Sequence, residues 1–206
     1  MKLKYCVALV AFSIANTHLA EARSLDERDL AMFQQWASTN SGSVESYQSY
    51  LSKQRVGDVV PMHELLRTAS DWKTHACKTA DAQPFEVPPE STWPAMVNTL
   101  KLLAHLRHNA VIGDLEVVSA YRNRKTNECA GSSGTRHPKN AALDLVPTDG
   151  KTSMEAVKPL CAFHRKHGAS WNMGLSLYPT GRIHIDADGY RTWGASGKRD
   201  TSVCLR

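Results

Sequence analysis

The amino-acid sequence predicts an α+β fold, a small and mainly antiparallel sheet flanked by helices, with a short helical region ahead of it. Three observations lead there. Apolar residues recur at helix spacing between Ser24 and Trp72 and again between Trp93 and Leu106, the 3.6-residue period of helices with one buried face. Short runs with strand patterning follow at 115–121, 142–146, 174–177 and 182–187. The last two flank Pro179-Thr180-Gly181, a turn that makes them a hairpin, and helices against such a sheet define the class.

In chain order, the first segment stands apart from the fold. Lys2 and Lys4 precede an apolar run from Tyr5 to about Ile14, and Ala20-Glu21-Ala22 supplies a small-x-small cleavage site, so residues 1–22 are expected to be a signal peptide. The run is shorter than the ~20 residues of a spanning helix. A lipid anchor on Cys6 is the weaker reading, because Cys6 opens the apolar run instead of following it. The protein is therefore expected in the periplasm or outside the cell, with no stable membrane insertion.

Residues 23–88 are expected to form a helical accessory region of two or three short helices, with Cys77 to Pro89 as a linker ending in a Pro-Pro pair. A helix then opens near Ser91, its stripe of Trp93, Met96, Val97, Leu100, Leu103 and Leu106 ending before Gly113. The strand Leu115–Tyr121 delivers Arg122 to its C-terminal end, and a loop rich in Gly, Ser and Asn follows. A short strand at 142–146, a helix from about Met154 to Lys166 and the hairpin complete the chain.

With 206 residues there is room for one ordinary domain and a small accessory region. A hydrophobic share of 42% with 22% charged residues excludes a disordered or collagen-like chain, which leaves function to reside in sites. Four cysteines remain after cleavage, Cys77, Cys129, Cys161 and Cys204, an even number in a chain bound for an oxidising compartment. Two disulfides follow. Sequence does not choose among the three possible pairings; Cys77 with Cys129 and Cys161 with Cys204 would tie the accessory region and the C-terminus to the core. The formal net charge of +5 falls by one on cleavage, and a mildly basic exported protein is attracted to polyanions. No basic helix or aromatic-basic platform points to nucleic acid.

Three potential metal ligands lie in two short segments, His137 and Asp144 in Thr135–Asp144, and His184 in Arg182–Asp186. Strand alternation places Ile183, Ile185 and Ala187 on one face and Arg182, His184 and Asp186 on the other. Asp144 likewise shares a face with Ala142 and Val146, opposite Leu143 and Leu145. Two nitrogens and one carboxylate leave a fourth tetrahedral position for water, the mark of a catalytic zinc site, where zinc brings the pKa of water to roughly 7. Asp186 is the expected proton shuttle, and its closeness to His184 also lets it serve as an extra metal ligand or as support behind one.

Taken together, Ser119-Ala120-Tyr121-Arg122, Thr135 through Asp144, Gly174-Leu175-Ser176-Leu177-Tyr178-Pro179, His184-Ile185-Asp186 and Arg191-Thr192-Trp193 resemble the zinc D-alanyl-D-alanine carboxypeptidase family, which is related in fold to the hedgehog signalling domain and the vancomycin-resistance dipeptidases. The resemblance runs from Trp93 to Trp193. Ala120, Thr135, Asn140 and Ser176 depart from its pattern without removing a ligand, and Asn140 is tolerable because Asn enters left-handed backbone readily.

That likeness implies a hedgehog/DD-peptidase-like fold over residues 89–206, a zinc ion on His137, Asp144 and His184, and peptidoglycan stem peptides as substrate. It also implies that Arg122 grips a substrate carboxylate or polarises the scissile carbonyl. An inactive wall-binding or signalling module that keeps fold and zinc is the alternative. Arg191 and Trp193 are expected to close the hairpin; Tyr178 could line the cleft and is read as a packing residue. Rival sites are weaker: Cys161, His164 and His167 share a helical face but Cys161 is expected in a disulfide; Ser132 and Ser133 lack a nucleophile elbow; Asp186 and Asp188 sit too close in sequence for a glycosidase pair.

Overall fold

The computed structural model describes residues 30–205; the expected signal peptide lies outside them. Four helices come first, α1 (Leu30–Ser38), α2 (Ser41–Lys53), α3 (Met62–Leu65) and α4 (His75–Thr79). The central helix α5 (Trp93–His108) leads into β1 (Leu115–Ser119), and a short α6 (Arg124–Cys129) precedes β2 (Ala142–Pro147). Then come α7 (Ser153–His167), the hairpin strands β3 (Gly174–Leu177) and β4 (Ile183–Asp186), and β5 (Arg191–Trp193). The fold is α+β, and no described helix is long and apolar enough to cross a membrane.

Five strands form one sheet in the order β1-β2-β4-β3-β5, antiparallel throughout except that β5 runs parallel to β3. Alternation works as expected. Leu143, Leu145, Ile183, Ile185 and Leu175 are fully buried in one apolar cluster with Leu100 and Leu103 of α5 and Leu160 of α7. The opposite face is left for polar side chains. The hairpin closes as a turn in which the Gly181 N–H donates to the Tyr178 carbonyl and Gly181 takes φ 81°, a left-handed position that glycine occupies without strain.

Local chemistry fixes the helix ends. Thr152 and Glu155 form a reciprocal capping box at the start of α7, and Asn123 accepts from the Thr126 N–H to start α6. The indole of Trp93 donates to the Pro88 carbonyl at 2.8 Å, pinning α5 to the Pro-Pro stop before it.

Three local expectations need correcting. β1 ends at Ser119, because the Ala120 N–H turns to the Arg67 carbonyl at 2.8 Å, so Arg122 lies beyond the strand in a loop. The stretch from Cys77 to Pro89 is no loose linker: α4 runs into it, and Phe85 is buried and bridged to Arg67. Finally, Arg191–Trp193, expected only to close the hairpin, is a strand of the sheet.

The N-terminal helices belong to the same apolar cluster as the sheet, through Phe33, Tyr47, Leu51, Leu66 and Phe85. They also cover its edge. β1 would otherwise expose unpaired backbone, a template for aggregation; instead Glu64 accepts from the Val117 N–H at 2.9 Å and Arg67 donates to the Val117 carbonyl at 2.9 Å.

Disulfides join Cys77 to Cys129 and Cys161 to Cys204, the pairings that tie α4 to α6 and α7 to the C-terminus. Two such bonds accord with folding in an oxidising environment.

Candidate metal centre

Two transverse rows of the sheet build the centre. Register pairs Ser119 with Asp144, Asp144 with His184, His184 with Ser176 and Ser176 with Trp193, so these side chains form one row across all five strands. The next row on that face is Ala142, Asp186, Gly174 and Arg191. Gly174 is bare for a reason: a Cβ there would run into the Asp186 carboxylate, and without it Arg191 reaches across to Asp186 with two hydrogen bonds, 3.0 Å to Oδ1 and 2.6 Å to Oδ2. Ser176 is similarly small, and across it Trp193 meets His184 edge-on with ring centroids 5.0 Å apart.

His137 arrives from a loop. The turn Thr135–Ala141 is held by Lys139 N–H to the Thr135 carbonyl, Asn140 N–H to the His137 carbonyl and Ala141 N–H to the Arg136 carbonyl. Asn140 has φ 55°, the left-handed conformation expected of it. Its amide donates to the Tyr47 hydroxyl at 3.3 Å and the Thr92 carbonyl at 3.4 Å. Thr99 of α5 then fastens the ends of both ligand strands, donating to the Ala141 carbonyl at 2.7 Å and accepting from the Ala187 N–H at 3.2 Å.

These elements bring His137, Asp144 and His184 together, buried, with one ligand atom from each lying within 4.8 Å of the others. Their hydrogen bonds decide what can sit between them. The Nδ1–H of His137 donates to the Ala120 carbonyl at 2.5 Å, which leaves the Nε2 lone pair facing Asp144 Oδ1 at 3.2 Å. On His184 the Nε2–H donates to Asp186 Oδ2 at 3.1 Å, leaving Nδ1 facing the same Asp144 oxygen at 2.9 Å. Three electron-pair donors converge with a proton or a cation needed between them, so the donor set fits a metal ion. The other Asp144 oxygen accepts from Arg122 Nη2 at 2.9 Å.

Charge states follow from the surroundings. Burial, reinforced by the Arg122 charge, lowers the His137 pKa to about 4, so its imidazole stays neutral. Burial opposes ionisation of Asp144 too, but the hydrogen bonds and charges of its neighbours, His184 and Arg122 among them, overcome it and hold the carboxyl well below the usual range. For His184, hydrogen bonds to Asp144 and Asp186 outweigh burial and raise the pKa. A proton on His184 thus fills the place that a metal takes.

Of the roles the sequence leaves open for Asp186, its surroundings favour support behind His184 over proton transfer. Asp186 is fully buried at 0% exposure, its oxygens accept from His184, from both Arg191 nitrogens and from the Asp188 N–H at 2.9 Å, and it is absent from the cleft wall. Burial raises its pKa, but His184 and Arg191 pull it below the ordinary value. A carboxylate so engaged is a poor proton acceptor. Its hydrogen bond fixes the tautomer and orientation of His184, as carboxylates behind metal-ligating histidines do. Arg122 is also more constrained than expected, since one nitrogen holds Asp144 while its Nε is buried without a partner.

The cluster forms part of the wall of a cleft of about 800 Å³, with the loop Gly131–Thr135 and the hairpin residues Tyr178–Thr180 on its sides. The Asn127 amide shapes that loop by donating to the Ser132 and Gly134 carbonyls at 2.9 Å. Two cleft residues stand out against the sequence reading, one given only a packing role and one given no role. Tyr178, expected to pack, places its hydroxyl 3.2 Å from His184 Nδ1, and burial, then Asp144, push its phenol above the ordinary value. Asp71 lies in the helical accessory region, outside the stretch that carries the resemblance, yet it lines the cleft and pairs with Arg182 at 3.4 Å. The Tyr-Pro turn was a usable signal for Tyr178; nothing local marks Asp71.

Two rival sites dissolve. Cys161 is in a disulfide, and His164 Nε2 contacts the Met173 and Arg191 carbonyls. Asp188 pairs with Arg136 at 3.0 Å. Compared with family models, curated proteins and solved structures, the chain matches none.

Proposed function

We propose that the protein is an exported zinc metallopeptidase that hydrolyses peptidoglycan stem peptides, as a D-Ala-D-Ala carboxypeptidase or a murein endopeptidase. One observation carries the reading: His137 Nε2, Asp144 Oδ1 and His184 Nδ1 converge in the wall of an open cleft, each oriented by its own buried partner. Three N/O ligands of this kind suit zinc and leave a position for water or substrate. Zinc held there would supply a Lewis acid and an acidified water.

The chain's own groups do the rest. The cleft wall carries the guanidiniums of Arg122, Arg136, Arg182, Arg191 and Arg199 against the carboxylates of Asp71 and Asp144. Such a surface attracts a substrate bearing carboxylates, and stem peptides are of that kind. Asp71, which lines the cleft beside Arg182, is the carboxylate we assign to the proton transfer in place of Asp186.

The second reading, an inactive wall-binding or signalling module of the same fold, gains from the engagement of Asp186, since a carboxylate held by Arg191 is less free to act as a base. Digestion of purified sacculi separates the two. The chelated protein should release nothing, and zinc should restore release of peptides whose masses name the bond cut; Asp71→Asn should keep zinc and slow release by at least ~100-fold. Zinc-loaded protein that binds sacculi and releases nothing would establish the binder instead.

A further inference from the structure

We infer that Tyr178 is a catalytic residue, whose hydroxyl donates a hydrogen bond to the carbonyl oxygen of the bond being cut as that oxygen gains negative charge; this rests on the peptidase reading above. The geometry has three parts. The phenol oxygen lies 3.2 Å from His184 Nδ1, the nitrogen turned toward Asp144 and away from Asp186. The ring stands edge-on to His184 with centroids 5.9 Å apart, and the residue lines the cleft. The hairpin fixes its place, because the Tyr178 N–H donates to the Arg182 carbonyl at 2.9 Å and its carbonyl accepts from Gly181 at 2.9 Å.

Loading the site displaces any proton on His184 Nδ1 and commits that lone pair to the metal, so the phenol has no acceptor on His184. The hydroxyl then needs another acceptor in the same place, and a half-buried O–H left without one costs stability. In that neighbourhood the group in need of a donor is the oxygen of a scissile carbonyl, which must be stabilised as charge develops. Arg122 alone is ill-placed for the whole task, since one of its nitrogens already holds Asp144. Tyr178 supplies a second donor that forms no bond to the substrate and returns unchanged after turnover.

The test compares wild type with Tyr178→Phe, which keeps the ring against His184 and removes only the hydroxyl. Three quantities are read: metal per chain; kcat and KM on peptides from sacculi; and the affinity of the cobalt-loaded protein for inorganic phosphate, followed by the visible absorption of the cobalt. Phosphate is a tetrahedral anion, and the cobalt spectrum reports only on phosphate that reaches the metal. The expected result is full metal content, a kcat lower by ~100-fold or more with KM little changed, the usual effect of losing one oxyanion donor, and a clearly weaker phosphate affinity.

Loss of metal in Tyr178→Phe would make the phenol a ligand and overturn the proposal. Unchanged kcat and phosphate affinity would make Tyr178 the packing residue first expected. Because the phosphate titration needs no turnover, it also isolates failure of the peptidase reading: wild type that cuts nothing, with phosphate affinity still dependent on Tyr178, keeps the donor and removes the peptidase.

Discussion

Asp144 and His184 reach the candidate metal centre by a different route from His137. The first two sit directly opposite each other on neighbouring strands, so their relative position is set by sheet register, and a slip of one residue would turn both to the apolar face. His137 is delivered by a turn that depends on a left-handed Asn140, on the Ala120 carbonyl at the end of β1, and on α6, whose Asn127 shapes the adjoining cleft loop. Half the centre is therefore held by backbone periodicity and half by side-chain devices distant in sequence. The sheet half should survive local damage to loops, and the loop half should not.

Asp144 belongs to both halves, because its Oδ1 faces both histidines and its Oδ2 holds Arg122. Asp144→Ala is expected to have the largest effect: metal content should fall to nothing, and metal-free stability should drop by about 3–5 kcal/mol, since Arg122 would remain buried without its counter-charge. Asp144→Asn keeps an oxygen for the guanidinium, so it should lose the metal but less stability. Metal analysis and urea unfolding check both. One metal per chain in Asp144→Ala would remove this residue from the ligand set.

The two disulfides sharpen the contrast. Opening either pair to serines should cost about 2–4 kcal/mol. Only the Cys77–Cys129 pair is tied to the loop half, because Cys129 ends α6, two residues from Asn127. Its removal should weaken metal binding, measured by competition with a chelator, whereas removal of Cys161–Cys204 should leave that affinity alone. Equal weakening by both would show that global stability, and not the loop, sets affinity.

Within the sheet half, Asp186→Asn tests the buried carboxylate. Losing its charge behind His184 should lower metal affinity by ~10–100-fold, with kcat at saturating metal nearly unchanged. The reverse pattern, full affinity and a kcat down by ~100-fold, would restore Asp186 as the base.

The same division explains what the chain revealed before its structure was known. Strand alternation made Asp144, His184 and their apolar neighbours legible, because a period of two needs only a few residues to declare itself. The apolar stripe of α5 and the Pro-Thr-Gly turn were legible for the same reason, being local. The burial of Asp186 was not, because it depends on Gly174 being bare on one neighbouring strand and Arg191 reaching over from the next. Those residues are 12 and 5 positions away, and only the sheet order β4-β3-β5 makes them neighbours. Asp71 was equally hidden, since its place in the cleft is set by the packing of the N-terminal helices, which no short-range pattern reports.

The smallest expected effect concerns protons, and it separates the two histidines. His137 is neutral above about pH 4, so it has no proton to give up when metal binds at higher pH. His184 has a raised pKa and, without metal, is protonated up to and beyond its ordinary value of 6.5. Between pH 5 and 6.5, loading therefore displaces one proton, the one on His184 that bridges to Asp144. Affinity should fall as pH falls, by about tenfold per unit, or about 1.4 kcal/mol. Chelator competition across that range, corrected for the chelator's own protonation, gives the slope. A hundredfold change per unit would mean that both histidines are protonated in the metal-free protein, and that the loop holding His137 does not exclude the proton as its burial and the Arg122 charge require.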